Sequence, residues 1–319
     1  MRARIFVTRR LPEAVEARLR RDYDAKLNPE DVVYDEAALL AGAEGADGII
    51  TSPTERFGAG LVERLPASVR IIATFSVGYD HIDLEACRRR GITVTNTPDV
   101  LTEATADIAM LCLLGAARRA WEGQTMLREG RWDRWGPTQL VGLGLDGKVL
   151  GIVGMGRIGR AMARRARGFG MAIHYHDQAR LPPELEEGAT YHATLDSLLP
   201  QSRFLSLHAP GGEGTRHLLN ERTIGLLPEG AVVVNTARGT LVDDKALLTA
   251  LRSGRLFAAG LDVFANEPAL DPGYLECPNC FLLPHLGSAT VEARNGMGFR
   301  CLDNLDAFFA GQRPPHVVT

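Results

Sequence analysis

Three short motifs in the second half of the chain contain the side chains best suited to catalysis. Arg238 lies in Asn-Thr-Ala-Arg-Gly, Glu267 in Asn-Glu-Pro and His285 in Pro-His-Leu-Gly-Ser. Arginine remains charged and binds a carboxylate through a planar fork, while imidazole titrates near neutral pH and can donate and recover a proton. A carboxylate on the far ring nitrogen would orient the imidazole and favour its protonated form. Together the three types suit hydride transfer to the carbonyl of an α-keto acid.

Each of these residues also has an ordinary structural interpretation. Arg238 could be a surface ion-pair partner, Glu267 a solvated turn residue and His285 a packed core histidine, and taken singly each of these is favoured. All three, however, follow predicted strands, where ligands bind in open α/β sheets. Their joint position beside a dinucleotide-binding motif makes the catalytic interpretation the better one.

That motif is a glycine-rich turn between the apolar run 148–153 and an Ala- and Arg-rich helical stretch. The first glycine permits a tight turn, the second lets the backbone approach a pyrophosphate, and the third lets the helix pack on its strand. The helix N-terminus then directs N–H groups and a positive dipole end at the phosphates. The predicted cofactor-binding residues of this turn are Gly154, Met155, Gly156, Arg157, Ile158 and Gly159.

Asp177 follows the next predicted strand, 172–176, and points to the identity of the dinucleotide. Its carboxylate can accept hydrogen bonds from the adenosine ribose hydroxyls, which favours NAD(H). A 2′-phosphate would place negative charge beside Asp177 and would require an arginine instead. NADP(H) is the alternative if the neutral Gln178 and the nearby Arg180 accommodate that phosphate.

The composition is typical of a soluble globular protein, with 45% hydrophobic and 24% charged residues among 319. The length favours two domains. A formal net charge of −3 argues against a general binder of nucleic acid or anionic membranes, and no apolar run suits a membrane span or signal peptide. We therefore expect small-molecule partners, with no nucleic acid and no membrane.

Five cysteines make an odd count in a chain too long to need disulfides, so a reducing, cytoplasmic location fits best. Cys277 and Cys280 have the spacing of a redox or metal pair. No second pair or ordered histidines complete a zinc site, and the local pattern is that of a loop entering a buried strand. The sequence therefore predicts no metal site.

Short apolar strands alternate with amphipathic helices along both halves, which predicts α/β domains with parallel sheets. Strands are expected at 4–8, 48–51, 70–75 and 92–95, and then at 148–153, 172–176, 204–208, 231–235, 258–261 and 281–283. A long helix over 101–127 is expected to cross between domains, and a final helix over 291–310 to return to the first. The connector 130–144, with Trp132 and Trp135, fits either a subunit-contacting arm or an ordinary loop.

The histidines other than His285 are not accompanied by other candidate catalytic residues and are predicted to be structural, with one exception. His208 ends a predicted strand near the expected cofactor and joins the cofactor-binding candidates. The structural group comprises His81, His174, His176, His192, His217 and His316.

Over essentially its whole length the chain resembles the D-isomer-specific 2-hydroxyacid dehydrogenases. Besides the motifs above, the resemblance rests on Phe-Ser-Val-Gly-Tyr-Asp-His-Ile-Asp at 75–83 and Ala-Gly-Leu-Asp-Val-Phe at 259–264, all in the family's order. Within the family, the chain is most similar to the glyoxylate and hydroxypyruvate reductases. Glu267 argues for keto-acid chemistry, since the related formate dehydrogenases have glutamine at the matching position.

The resemblance implies two doubly wound α/β domains, a Rossmann dinucleotide-binding domain inserted into a flavodoxin-like substrate domain. Residues 1–98 and 288–319 would form the substrate domain and residues 99–287 the NAD(P)-binding domain, with the active site in the cleft between them. The family also implies a homodimer.

The resemblance makes Arg238, Glu267 and His285 the catalytic set. It places the backbone of Val77 and Gly78 against the substrate carboxylate. By the same resemblance, four residues line the cofactor: Thr105, Pro210, Thr236 and Asp262, the last near the nicotinamide amide. Two motif residues complete the predicted cofactor set: Ala237 and Gly287.

The leading hypothesis is NAD(P)H-dependent reduction of glyoxylate or hydroxypyruvate to the D-2-hydroxyacid. Another D-2-hydroxyacid, such as 3-phosphoglycerate or D-lactate, is an alternative substrate. A phosphorylated one would require extra cations, and the stretch 51–60 offers only Arg56. From a different class, a dinucleotide-sensing interaction protein resembling the family's corepressors stays open.

Overall fold

The computed structural model describes residues 2–319. It consists of two compact units: the first contains the residues up to Leu101 together with Ala289–Thr319, and the second is Thr102–Ser288. The first unit is therefore discontinuous in sequence, with the second inserted between its two parts.

Five parallel strands form the sheet of the first unit, in the order β2-β1-β3-β4-β5. The strands are β1 (Arg4–Val7), β2 (Asp24–Lys26), β3 (Gly48–Thr51), β4 (Ile71–Thr74) and β5 (Thr93–Thr95). The helices are α1 (Glu13–Asp22), α2 (Glu36–Ala43), α3 (Ala59–Arg64), α4 (Leu84–Arg89) and, from the C-terminal part, α13 (Val291–Phe309). This strand order is that of flavodoxin-like sheets.

The C-terminal helix α13 belongs to the core of the first unit. Thr290 begins it as the N-cap, accepting a hydrogen bond from the Ala293 N–H. The helix then packs on α1 and β4. A Cβ at Gly298 would lie 2.3 Å from Val15 Cγ2, so glycine is what lets α13 approach α1 this closely. The central strands β3 and β4 are buried along their whole length, as parallel sheets require.

Seven parallel strands form the sheet of the second unit, in the order β12-β11-β10-β9-β6-β7-β8. The strands are β6 (Val149–Val153), β7 (Ala172–His176), β8 (Thr190–Tyr191), β9 (Phe204–Leu207), β10 (Ala231–Asn235), β11 (Leu256–Leu261) and β12 (Cys280–Leu282). The helices are α5 (Thr102–Ala117), α6 (Ala120–Arg128), α7 (Arg157–Gly168), α8 (Pro183–Glu186), α9 (Leu195–Leu198), α10 (Glu221–Leu226), α11 (Asp244–Arg252) and α12 (Gly273–Glu276). The order reverses between β6 and β9, the switch point where Rossmann sheets bind dinucleotides.

Both units are thus doubly wound parallel α/β structures, and the predicted fold class is confirmed. No helix within residues 2–319 combines the length and apolarity needed to cross a membrane.

The helix expected over 101–127 is instead two helices, α5 and α6. The backbone at Arg119 enters the left-handed region, with φ of 54°, and this ends the first helix. All of α5 belongs to the second unit, where it packs on α7, β10 and β11 rather than crossing between domains. At Gly260 of β11 a Cβ would lie 2.4 Å from the Cys112 carbonyl oxygen, so this contact too requires glycine.

Candidate active site

His285 and Glu267 form a hydrogen-bonded pair in the second unit. Glu267 Oε2 lies 2.6 Å from His285 Nδ1, and Glu267 Oε1 accepts from the Phe264 N–H at 2.8 Å. The carboxylate therefore fixes one ring nitrogen and leaves Nε2 to exchange a proton with a ligand. The side chains are 46% and 33% exposed respectively, so a ligand can reach the imidazole.

The buried carboxylate of Asp262 fixes the loop that carries His285. Asp262 Oδ1 accepts from the Leu286 N–H at 2.6 Å, and Oδ2 accepts from the Gly287 N–H at 2.8 Å. The Asp262 carbonyl also accepts from the His285 N–H at 2.9 Å. Burial raises the pKa of Asp262, although the two backbone hydrogen bonds oppose the rise. This support holds His285 at a φ of 56°, a left-handed conformation that is uncommon for residues other than glycine.

Arg238 follows β10 and lies near the Glu267 turn. The next residue, Gly239, is so close to that turn that a Cβ would lie 1.9 Å from the Phe264 carbonyl carbon. Burial opposes ionisation of Glu267, but the His285 hydrogen bond and the positive charges of His285 and Arg238 outweigh it. The pKa of Glu267 therefore lies below its usual value. A fixed cation, an ionised carboxylate and an imidazole are thus brought together at one edge of the sheet.

The glycine turn lies at the carboxyl end of β6, and glycine has a different structural role at each of its three positions. Gly154 has a φ of 91°, and a Cβ there would lie 2.6 Å from the Ala209 N. A Cβ at Gly159 would lie 2.2 Å from the Gly154 carbonyl oxygen, so helix α7 packs directly on the turn. A Cβ at Gly156 would meet nothing within 4 Å. The turn therefore leaves open space in front of the first turn of α7, as a bound pyrophosphate requires.

Asp177 and Arg180, the two residues that bear on cofactor choice, have different environments. The Asp177 carboxylate accepts from the Met155 N–H at 2.7 Å and from the Gln178 N–H at 2.7 Å. Arg180 instead donates to both oxygens of Glu186, at 2.8 and 3.0 Å. This ion pair, followed by the Tyr175 hydroxyl, lowers the pKa of Glu186. Arg180 is therefore engaged by a carboxylate within its own loop, while Asp177 is held at the glycine turn.

The remaining cofactor candidates lie around the same sheet edge. The Thr236 hydroxyl oxygen, just after β10, is buried without a hydrogen-bond partner among residues 2–319, so a polar ligand group would satisfy it. Thr105 Oγ1 donates to the Gly287 carbonyl at 3.0 Å. His208 Nε2 lies 2.8 Å from Ser206 Oγ, and burial lowers the pKa of His208 to about 4. Two further candidates lie in loops after β9 and β10: Pro210 and Ala237.

The glycine turn, the open space before α7 and the orphaned Thr236 hydroxyl together fit a dinucleotide. Metal chemistry has no comparable support, because no group of three potential ligands capable of holding an ion occurs within residues 2–319. Cys277 and Cys280 are both buried, and burial raises the pKa of Cys280 to about 12. That thiol is therefore protonated near neutral pH and poorly suited to redox chemistry.

Val77 and Gly78 lie in the first unit, in the loop that follows β4. The Ser76 carbonyl accepts from the Thr97 N–H at 2.9 Å, and the Gly78 carbonyl accepts from the Ser76 hydroxyl at 2.6 Å. Carbonyls of this loop are thus bound to the protein, while within residues 2–319 neither the Val77 nor the Gly78 N–H has an acceptor. Two adjacent free N–H groups suit an anion.

The structure adds a cation to the stretch 51–60 that the sequence does not suggest. Arg9, two residues after β1, donates to Thr54 Oγ1 at 2.8 Å. It also makes a two-pronged contact with Asp31, through Nε and Nη2, each at 2.8 Å. The charge of Arg9 is therefore already matched within the first unit, and Arg56 is exposed. Only the fold brings residues 9 and 54 together, so spacing offered no signal for this contact.

The fold and the site define an oxidoreductase that uses a nicotinamide dinucleotide. Residues 110–287 match the family model described as D-isomer specific 2-hydroxyacid dehydrogenase, NAD binding domain. The chain is 47% identical over 310 residues to the glycerate dehydrogenase of Hyphomicrobium methylovorum, covering 97% of this chain and 96% of that one.

Solved structures give the same answer. A putative D-isomer specific 2-hydroxyacid dehydrogenase from a Polaromonas species is 50% identical, with a TM-score of 0.95 and 100% of both chains covered. An NADPH-dependent glyoxylate/hydroxypyruvate reductase from Sinorhizobium meliloti, solved with NADP and malonate, is 38% identical with a TM-score of 0.90, covering 100% of this chain and 97% of that one. The chain belongs to the D-isomer-specific 2-hydroxyacid dehydrogenase family, as the sequence predicted, and is an NAD(P)-dependent enzyme acting on CH–OH groups.

Proposed function

We propose that this enzyme reduces glyoxylate or hydroxypyruvate to the D-2-hydroxyacid, with NADH as the favoured hydride donor. The observation that carries the proposal is the 2.6 Å contact between Glu267 and His285. The positive charge of Arg238 also lowers the pKa of Glu267 in this site. A cation for a carboxylate and an oriented proton donor are what reduction of a 2-oxoacid requires. The relatives named for glycerate and for glyoxylate and hydroxypyruvate support the same substrate class.

In the proposed mechanism the bound nicotinamide supplies the hydride. Arg238 binds the substrate carboxylate through its guanidinium and polarises the adjacent carbonyl. The Val77 and Gly78 N–H groups bind the same carboxylate. His285 Nε2 gives its proton to the developing alkoxide, and Glu267 stabilises the ring through Nδ1 while it is charged. In the oxidative direction the same nitrogen accepts the proton.

The preference for NADH rests on Asp177 and Arg180. Asp177 offers ribose hydroxyls a carboxylate and would repel a 2′-phosphate. Arg180, the nearest candidate for binding that phosphate, is already paired with Glu186. NADPH use therefore requires that this ion pair break. The Sinorhizobium relative is described as NADPH-dependent, so an NADPH preference occurs among similar proteins.

We further propose a homodimer in the cytoplasm. Trp132 and Trp135 are 52% and 77% exposed in the connector 130–144, which supports a contact with a second copy. The five cysteines are buried thiols, which suits a reducing compartment. Light scattering would test the dimer: a monomer at micromolar concentration would refute it.

Initial rates with glyoxylate and hydroxypyruvate, each with NADH and NADPH, test the proposed function. Faster turnover with NADH at matched concentrations is expected. Preference for NADPH would overturn the role given to Asp177 while leaving the chemistry intact. Failure of both oxoacids, with D-lactate and 3-phosphoglycerate active in the reverse direction, would move the substrate assignment. Cofactor binding without any turnover would refute the proposal altogether.

A further inference from the structure

The loop 76–78 has three consecutive carbonyls bound to the protein, and the middle one depends on a single side chain. The Val77 carbonyl accepts from Asn96 Nδ2 at 2.8 Å. The carbonyls before and after it are held by the Thr97 N–H and the Ser76 hydroxyl. Asn96 lies just after β5 and is only 9% exposed.

Peptide geometry converts this contact into a direction for the next N–H. The Val77 carbonyl and the Gly78 N–H belong to one peptide plane, and in a trans peptide they point in opposite directions. A carbonyl drawn toward Asn96 therefore turns the Gly78 N–H away from Asn96. In the same way the bond from Thr97 to the Ser76 carbonyl turns the Val77 N–H away from Thr97.

Asn96 itself is held by the C-terminal part of the first unit. Its carbonyl accepts from Asn304 Nδ2 at 3.1 Å, and its N–H donates to the His316 carbonyl at 3.1 Å. Asn304 Oδ1 also accepts from the His316 N–H at 3.1 Å. Asn304 is completely buried in α13. The side chain of Asn96 is thus the end of a fixed network and does not reach a ligand through its own mobility.

We propose that Asn96 is a positioning residue for the substrate carboxylate, acting by orienting the Gly78 N–H. The inference rests on the proposed function, because that assigns the carboxylate of a 2-oxoacid to the Val77 and Gly78 N–H groups. It goes further by naming a residue that touches neither substrate nor cofactor and yet sets the Michaelis constant. Chemically it requires a donor at position 96, since only a donor can hold a carbonyl.

The test is Asn96→Leu, which keeps the branched shape of the side chain and removes the donor. Because one charge-assisted hydrogen bond to the carboxylate is weakened, KM for glyoxylate should rise about 10- to 100-fold. NADH affinity and kcat at saturating glyoxylate should stay within about threefold. Asn96→Ser is the milder variant, because its hydroxyl can still donate. It should raise KM for glyoxylate less than Asn96→Leu does, and it provides the test if the leucine protein folds poorly.

Asn28→Leu is the matched control. Asn28 is 2% exposed in the same unit, and its Nδ2 donates to the Thr8 and Val32 carbonyls. It should lose stability without the rise in KM. Equal rises in Asn28→Leu and Asn96→Leu, or an unchanged KM in both Asn96 variants, would overturn the inference.

Direct binding separates this inference from the proposed function. Oxamate, an unreactive analogue of a 2-oxoacid, can be titrated into the wild type and the variants with NADH present. If the wild type reduces no 2-oxoacid, the proposed function fails, and oxamate affinity alone then decides the role of Asn96. Weaker oxamate binding in Asn96→Leu but not in Asn28→Leu would support it, and equal binding in all three proteins would refute it.

Discussion

Two loops of this molecule are proposed to bind anions through backbone N–H groups, and the two loops are held by different means. The turn 154–159 relies on glycine: Gly154 has a φ of 91°, and Gly156 places no side chain before the first turn of α7. The loop 76–78 relies on bound carbonyls, held by Thr97, Asn96 and Ser76. The first proposed anion site depends on the local chain alone, whereas the second also depends on residues about twenty positions away.

The difference teaches where sites of each kind are vulnerable. A glycine turn fails when a side chain fills its space, so its sensitive positions are the glycines themselves. A loop with bound carbonyls fails when a donor is lost elsewhere. The loop 76–78 also lacks chemistry of its own, because the proposed proton donor and cation both belong to the second unit.

The largest effect should come from His285→Ala, which tests whether the chemistry is confined to the second unit. Loss of the proton donor should lower kcat by roughly 10²- to 10⁴-fold. NADH affinity should change little, since the glycine turn is not altered, whereas oxamate should bind more weakly because it loses the hydrogen bond from His285. Steady-state rates with a fluorescence titration would check this. A near-normal rate would mean that another group, including one of the first unit, supplies the proton.

Asp177→Ser examines the ribose end of the glycine turn. Removing a charged acceptor should raise KM for NADH about 10- to 100-fold, with a smaller change for NADPH. Asp196→Ser is the matched control, because Asp196 pairs with Arg222 at the surface of the same unit, at 2.7 Å. Equal loss with both cofactors would contradict the role of Asp177 in discrimination.

Gly156→Ala and Gly159→Ala separate binding from packing within the glycine turn. Gly156→Ala should raise the NADH dissociation constant about tenfold at unchanged stability, since its Cβ would meet no protein atom. Gly159→Ala should destabilise the fold, because overpacking costs about 1–3 kcal/mol and the gain in helix propensity offsets at most about 1 kcal/mol. Calorimetry and NADH titration would measure both. Loss of stability in Gly156→Ala together with weaker NADH binding alone in Gly159→Ala would contradict the roles given to the two glycines.

The smallest effect is expected from Thr74→Val, which weakens the support behind the loop 76–78. Thr74 Oγ1 lies 2.7 Å from Ser76 Oγ and 3.0 Å from His81 Nε2. Because Ser76 gives its proton to the Gly78 carbonyl, Thr74 must donate to Ser76 and accept from His81. Loss of that hydroxyl should raise KM for glyoxylate about threefold and leave NADH binding unchanged. Weaker NADH binding with an unchanged KM for glyoxylate would contradict the assignment of the loop 76–78 to the substrate and the turn 154–159 to the cofactor.

Much of the fold could be predicted because its signals are local. Apolar runs bounded by turn residues located β3, β10 and most other strands to within two residues. The sequence did not predict β2 or β8, which are only three and two residues long and lack a buried apolar run. Nor could it predict the break at Arg119, since nothing in an Ala- and Leu-rich stretch requires one residue to become left-handed.

The site divides in the same way. Arg238, Glu267 and His285 could be proposed from the sequence because side chains of these types are unusual at strand ends. Asn96 could not, because its importance comes from a contact across 19 residues and from Asn304, 208 residues further along. Asparagine before a proline-containing turn also has an ordinary explanation, so position alone gave no reason to select it.

The left-handed backbone at His285 lowers the stability of the folded protein, and this effect is separate from the reactivity of the imidazole. A non-glycine residue held in this region stores about 1–3 kcal/mol of strain, which the Asp262 hydrogen bonds must outweigh. Asparagine also adopts this conformation. His285→Asn should therefore keep the backbone conformation of the loop while turning over far more slowly, because it loses the Nδ1 contact with Glu267 and the proton donor. Such a variant would hold cofactor and oxoacid together long enough for the structure of the ternary complex to be determined.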